Sequence, residues 1–311
     1  MKTPLLVVTL VALTAFATAR TWTSTDGNTV DAEFISATET HITIQREADR
    51  KRFTLPIDKL SAADQDWVKS NEEGEAPAEV ELPSKVEELI EARGSILFED
   101  DFNREDSDET DDLGEAWTTN SQSRAMGDKQ NDLLDGELVM TISPRADHAI
   151  STVHSTAEPY GDAVVYLRMK LEEGDQLKLA YNDKEDKSVW AGHINGVTMT
   201  TNSLKLVDER ESIFKLTLRD NKETPEGKAA LDEALASASK SFPLDLDAGE
   251  WYELVTVHEG ERLTVYIDGE EVGSHSSPGF GHETKRQFVF AVAKHAVVDD
   301  LKLWKLSSAA P

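Results

Sequence analysis

The sequence predicts a mainly β protein: a small β module, then a large antiparallel β-sandwich with one helical insertion. Three observations point there. Beyond residue 96, apolar and polar residues alternate with period two in segment after segment, the pattern of strands with one face on a core. Tight turns, Glu259-Gly260-Glu261 and Asp268-Gly269-Glu270, separate such segments. Within that region one stretch, residues 224–241, has helix-forming density, with Ala229, Ala230, Leu231, Ala234, Leu235, Ala236 and Ala238 behind Thr224-Pro225-Glu226.

Composition narrows the function classes. The chain has 311 residues, of which 39% are apolar, enough to bury a core and to exclude wholesale disorder. Charged residues make up 30%, which argues against an integral membrane protein. Acidic residues outnumber basic ones 60 to 32, a net charge of −28, so phosphate backbones are repelled and nucleic acid is excluded as a partner. The absence of cysteine excludes thiol catalysis, Cys-ligated zinc and a disulfide framework. The eight histidines lack ligand spacing, so zinc is unsupported.

From the N-terminus, Lys2 precedes an uncharged apolar run over residues 4–16, and Ala17-Thr18-Ala19 supplies small residues for a peptidase. This pattern predicts a signal peptide over residues 1–19, cleaved before Arg20, and export to the periplasm or beyond. The run is shorter than the ~20 residues that span a bilayer, so no membrane span is expected.

Residues 20–71 read as a small β domain. Thr21-Trp22-Thr23 is a short strand and Asp26-Gly27-Asn28 a turn. Val30, Ala32 and Phe34 alternate, with a break at Ile35. Residues 41–45 and 53–55 are further strands around a charged turn. Ser61, with Asp64 three residues on, is an N-cap for a helix over residues 61–69, which Leu60 and Trp67 pin to the sheet. Residues 72–95 are an acidic linker broken by Pro77 and Pro83. Inside it, residues 85–92 form helical turns with Ser84 and Glu87 as a capping box, a helix able to dock on the larger domain.

The sandwich occupies residues 96–307. Strands are expected at residues 163–171, 176–182, 193–201, 213–219, 251–258, 262–268, 286–293 and 298–306. The helical insertion falls on a long loop, where it either flanks a binding face or caps an open end.

Two resemblances add to this reading. Arg20-Thr21-Trp22-Thr23, Val30-Asp31-Ala32-Glu33-Phe34, Leu55-Pro56-Ile57-Asp58-Lys59-Leu60-Ser61 and Asp64-Gln65 resemble the SLA-homology 1 domain. That implies a small SH3-like barrel. It leaves open whether the module binds a protein, a peptide or a wall polymer, or only packs and spaces. Leu97-Phe98-Glu99-Asp100-Asp101-Phe102, Trp251-Tyr252-Glu253-Leu254, residues 263–269 and residues 298–304 resemble the concanavalin A-like lectin/glucanase superfamily. Trp190-Ala191-Gly192-His193-Ile194 is similar to a block of its 3-keto-disaccharide hydrolase, or glycoside hydrolase 16-like, members. The resemblance implies a jelly-roll sandwich whose first and last strands are neighbours, and a glycan or sugar derivative as ligand.

Glycoside hydrolysis uses two carboxylates, about 5–5.5 Å apart for retention and about 6.5–9.5 Å for inversion. The Glu-x-Asp-x-x-Glu strand of family 16 hydrolases is absent here. The acidic groups Asp183-Lys184-Glu185-Asp186 and Asp208-Glu209-Arg210-Glu211 read as solvated turns after strands. Sugar binding needs a ring to stack on a pyranose and a few polar side chains. The candidates are Trp190, His193, Asn182, Arg168 and Tyr181, with Lys170, Tyr266 and His275 as weaker additions; alternation puts Tyr181 and Asn182 on opposite faces. If the terminal strands pair, Glu99, Asp100, Asp101, Asp299 and Asp300 converge, and oxygen ligands of this kind suit one structural calcium, which related sandwiches hold near those strands. The leading expectation is an exported carbohydrate-binding protein. A hydrolase acting on a sugar derivative and an envelope scaffold that binds protein are the alternatives.

Overall fold

A computed structural model describes residues 20–37, 41–46, 52–70, 82–104, 107, 110–114, 116–134 and 136–308. The expected signal peptide, residue 71, residues 72–81 of the linker and the turn over residues 47–51 lie outside the described residues. The chain divides into two units, residues 1–79 and 80–311. None of its described helices is long and apolar enough to cross a membrane.

In the first unit β1 (Arg20–Thr23), β2 (Thr29–Ala37), β3 (His41–Arg46) and β4 (Arg52–Pro56) form an antiparallel sheet in chain order. The broken alternation at Ile35 is a register shift between Phe34 and Ser36, where β2 carries one extra residue against β3. A short 3₁₀ turn leads into α1 (Ala62–Ser70). Ser61 Oγ accepts from the Asp64 N–H at 3.2 Å, as an N-cap should. Trp22, Ala32, Ile42, Ile44, Leu60 and Val68 are the core. The Arg20 guanidinium lies 4.6 Å from the Trp22 ring and 4.2 Å from Trp67, and ion-pairs with Asp64 at 2.6 Å. One cation thereby ties the first strand to the helix.

The second unit is a sandwich of two antiparallel sheets. It opens with α2 (Ser84–Arg93) and β5 (Gly94–Asp100), followed by β6 (Trp117–Thr119), α3 (Ser121–Arg124), β7 (Asn131–Leu134), β8 (Glu137–Thr141) and β9 (Ile150–Tyr160). Then come β10 (Ala163–Lys170), β11 (Leu177–Asn182), β12 (His193–Thr200), β13 (Ser203–Asp208), α4 (Leu216–Arg219), α5 (Pro225–Ala238) and β14 (Ser239–Pro243). Last are β15 (Trp251–Glu259), β16 (Arg262–Ile267), β17 (Glu270–Ser276), β18 (Lys285–Val292) and β19 (His295–Leu306).

One sheet runs β17-β16-β15-β10-β19-β8-β7, with β5 on the second half of β19; the other runs β14-β13-β12-β11-β18-β9-β6. The opening and closing strands are neighbours, with Phe98 opposite Leu303. Between the sheets lie Leu167, Met169, Leu254, Val265, Leu301 and Leu303 from one side and Leu179, Tyr181, Val197, Leu206, Phe288 and Phe290 from the other. These are the inward positions of the alternation, and their burial drives the stacking. The expected hairpin turn at Asp268-Gly269 forms with positive φ at both residues, 46° and 80°, matching the strand twist.

Three local expectations change. Ser84 and Glu87 form no capping box: α2 begins behind Pro83 with no side-chain cap. This helix, inside the span read as linker, belongs to the sandwich. Val86, Leu89 and Ile90 pack on Val164, Tyr166, Val255 and Val257, on the outer face of the eight-stranded sheet. Residues 213–219 are not a strand. Ser212 Oγ donates to the Asp208 carbonyl and the Phe214 N–H to the Glu209 carbonyl, so the chain coils after β13 and enters α4. The helical insertion is shorter than read: Thr224 caps it through the Gly227 N–H at 3.0 Å, and its C-terminal end passes into β14.

Candidate functional site

Residues paired across antiparallel strands share a face. On the outer face of the seven-stranded sheet Val207, Gly196, Ala180, Val289 and Val153 fall in one cross-strand row of small side chains. The next row toward the strand ends is polar: His193 is opposite Asn182, Asn182 opposite Gln287, and Gln287 opposite Ser155. Leu204, Leu206 and Asp208 of β13 point inward, so Glu209 continues the alternation outward. It meets Lys178, whose Nζ donates to Oε1 at 2.5 Å. Gly196 permits this reach: a Cβ there would come within 2.6 Å of Lys178 Cε.

Glu209 is 2% exposed, and its second oxygen, Oε2, has no hydrogen-bond partner among the described residues. Neither have His193 Nδ1, 3.7 Å from that oxygen, and the buried Asn182 Oδ1. Buried polar atoms are normally paired, so these three on adjacent strands form a polar cluster that the described residues leave incomplete. Burial pushes the His193 imidazole below its ordinary pKa, and Lys178, Arg219 and His148 act in the same direction against Glu209. The ring is therefore neutral at pH 7.

The rim is aromatic. His193 stacks on Phe214 with centroids 4.1 Å apart, and Arg219 lies 4.4 Å over the ring of Trp190, which is 49% exposed. The Trp190 N–H donates to the Phe214 carbonyl, and Leu216 N–H to the Ser188 carbonyl, so the two loops hold each other. Gly192 is required where it stands: its φ is +79°, and a Cβ would approach the Asp183 carbonyl to 2.5 Å.

Of the five expected ligand residues, Trp190, His193 and Asn182 come together on this face. Tyr181 does not. It faces the core, its hydroxyl 2.6 Å from Thr256 Oγ1. Arg168 does not either. It lies on β10 in the other sheet, over Trp251 at 4.6 Å and 3.5 Å from both Asp299 and Asp300. Lys170, Tyr266 and His275 also belong to that sheet. β10 and β11 are consecutive in the chain, yet the chain crosses between sheets there. Period-two alternation reports which face a residue takes, not which sheet.

Of the acidic groups read as solvated, Asp183, Asp208 and Glu209 are buried, Asp186 and Glu211 are half-buried, and Glu185 is exposed. Asp208 accepts from Ser277 Oγ and the Gly279 N–H, both at 2.6 Å, and burial raises its pKa. Burial pushes Asp183 upward too, but hydrogen bonds from His282, the Glu185 N–H and Thr284 outweigh it and hold its carboxyl below the usual range. Both carboxylates stitch loops to the sheet, which leaves Glu209 as the acid of these two groups with an unused buried oxygen.

The residues expected to bind calcium do not fit it. Glu99 and Asp101 are exposed, with Glu99 opposite Lys302. Asp299 and Asp300 both face the Arg168 guanidinium. Asp100 is occupied by Arg104, the Trp117 indole N–H and the Phe102 N–H. Among the described residues no three acidic or histidine side chains converge as a metal site. The Asp299 carboxyl is pushed up to about 7 by burial and by Asp300 beside it.

No family model matches the sequence. No curated protein matches it either. Among solved structures the sandwich is similar to a sialidase (TM-score 0.42, 11% identity, 70% of this chain), although the match spans only 19% of that chain. It is similar to SCLam, a non-specific endo-β-1,3(4)-glucanase (TM-score 0.46, 8% identity, 70% of this chain and 92% of that one). It is likewise similar to the laminarinase catalytic domain from Thermotoga maritima MSB8 (TM-score 0.45, 12% identity, 70% and 100%).

Proposed function

We propose that the sandwich binds a saccharide on the outer face of its seven-stranded sheet. The observation that carries this reading is the set of orphaned polar atoms on Glu209, His193 and Asn182 beside the half-exposed Trp190. A pyranose offers an apolar face for the indole and hydroxyls for a carboxylate oxygen, an imidazole and an amide. A glycan array followed by calorimetry on the purified chain tests it. Binding to at least one oligosaccharide, weakened in Trp190→Ala and Glu209→Gln, supports the reading; no binding to any overturns it.

A hydrolytic role for the same face is the second reading. It rests on Glu209, a buried carboxylate beside a histidine held neutral, a pairing suited to proton transfer. Released reducing or keto-sugar, lost in Glu209→Gln, distinguishes cleavage from binding. Export by the N-terminal signal, with the small unit as a module for a protein or peptide, completes the proposal; the N-terminal residue of the secreted chain checks the cleavage before Arg20.

A further inference from the structure

Arg219 stands apart from the other arginines of the second unit. Arg93, Arg104, Arg124, Arg145, Arg168, Arg210 and Arg286 each meet a carboxylate, and Arg262 donates to Ser274 Oγ. Among the described residues Arg219 has no carboxylate and no hydrogen-bond partner for its side chain, only the rings of Trp190 at 4.4 Å and Phe214 at 5.8 Å. In a chain with 60 acidic and 32 basic residues, an arginine left without an acid at the rim of a polar cluster needs an explanation.

Its surroundings supply one. Arg219 and His148 act electrostatically on His193, and Glu209, the acid beside that ring, is already paired with Lys178 at 2.5 Å. With the guanidinium held 4.4 Å over the indole, its N–H donors are left to pair with a carboxylate or sulfate. Phe214 and Trp190 shield it from water on their side, which strengthens such a pair.

We infer that the saccharide recognised on this face is an acidic one, with its anionic group paired to Arg219 at the Trp190 rim. This rests on the saccharide-binding reading above and specifies its ligand class. The net charge of −28 opposes a long polyanion from a distance, so short acidic oligomers at moderate salt are the expected ligands.

The test is calorimetry with the full chain against matched short oligosaccharides: oligouronates, the same oligomers with carboxyls reduced to hydroxymethyl groups, and sulfated oligomers. The expected result is a preference of about tenfold or more for an anionic oligomer over its neutral counterpart, the size of a charge-assisted pair. Arg219→Gln should erase that preference while retaining the weaker neutral binding, and Arg219→Lys should restore part of it. The uronate and sulfate arms identify which anion is preferred. Equal binding of acidic and neutral oligomers, or a preference that survives in Arg219→Gln, overturns the inference and leaves saccharide binding intact. No binding in any arm overturns the inference, and no binding to any glycan of the array overturns the saccharide reading as well. Thermal melting within a degree or two of wild type in Arg219→Gln excludes misfolding as the cause of a lost preference.

Discussion

The two outer faces of the sandwich are built from the same alternation but finished differently. On the eight-stranded sheet α2 covers Val164, Tyr166, Val255 and Val257. The charged remainder is neutralised in pairs: Arg168 with Asp299 and Asp300, Lys170 with Glu137. On the seven-stranded sheet a row of small residues lies beside Glu209, His193 and Asn182, each with one buried atom that has no hydrogen-bond partner among the described residues. A face that completes its own contacts contributes to stability; one that leaves polar atoms unmatched keeps them for something else. Substitutions on the two faces should therefore differ in their effect on saccharide affinity.

The largest effect is expected on the covered face. Tyr166→Ala removes a side chain 1% exposed beneath α2 and should cost about 3 kcal/mol in urea unfolding, with saccharide affinity unchanged. If affinity falls as well, the faces are coupled. Glu209→Gln should reduce affinity about tenfold or more and also lower the urea midpoint, because it leaves the Lys178 ammonium without the carboxylate it meets at 2.5 Å. Trp190→Ala should weaken binding by a similar or smaller factor and leave stability within about 0.5 kcal/mol, since half the ring is exposed.

The pH dependence sharpens the contrast further. Asp299 on the covered face has its carboxyl raised to about 7 by burial and by Asp300. Between about pH 4 and 7 the folded state then holds a proton that the unfolded state has lost, so this group makes stability fall as pH rises through that window. Asp299→Asn should remove that slope and leave the protein more stable than wild type at pH 8. His258 acts in the opposite sense. It is fully buried in the core, 3.0 Å from Asn195 Oδ1, and burial holds its pKa well below 6.5. As pH falls below about 6.5 the unfolded state takes up a proton that the folded state refuses, so stability is lost on acidification. Replacing His258 with Asn should flatten the acid side of the urea-midpoint profile. A slope unchanged in either variant contradicts the assignment.

Much of this architecture is legible in the residues. Alternation locates most of the second unit's longer strands and places Tyr181 and Asn182 on opposite faces. The pairing of the terminal strands, with Phe98 opposite Leu303, follows from the resemblance carried by residues 97–102 and 298–304 and not from alternation. Ser61 and Asp64 announce α1. The site is legible only in part. Trp190, His193 and Asn182 stand out because an aromatic, a glycine and polar groups cluster within a dozen positions. Glu209 is hidden because four charged residues in a row resemble a solvated turn. The signal that exposes it is the run Leu204, Leu206, Asp208, whose inward parity sends Glu209 to the outer face. Phe214 and Arg219 are hidden by a segment that alternates like a strand but coils, because its first backbone acceptors are taken by Ser212 and Phe214. Arg168 is misplaced by local pattern because sheet membership depends on long-range pairing that such pattern does not encode.

The central claim is that a saccharide docks beside Trp190, and tryptophan fluorescence during oligosaccharide titration tests it most directly. The account predicts a saturable change in emission in the wild-type chain that disappears in Trp190→Phe while the other five tryptophans remain. A change that persists undiminished in that variant, or none with any saccharide that calorimetry shows to bind, would contradict it.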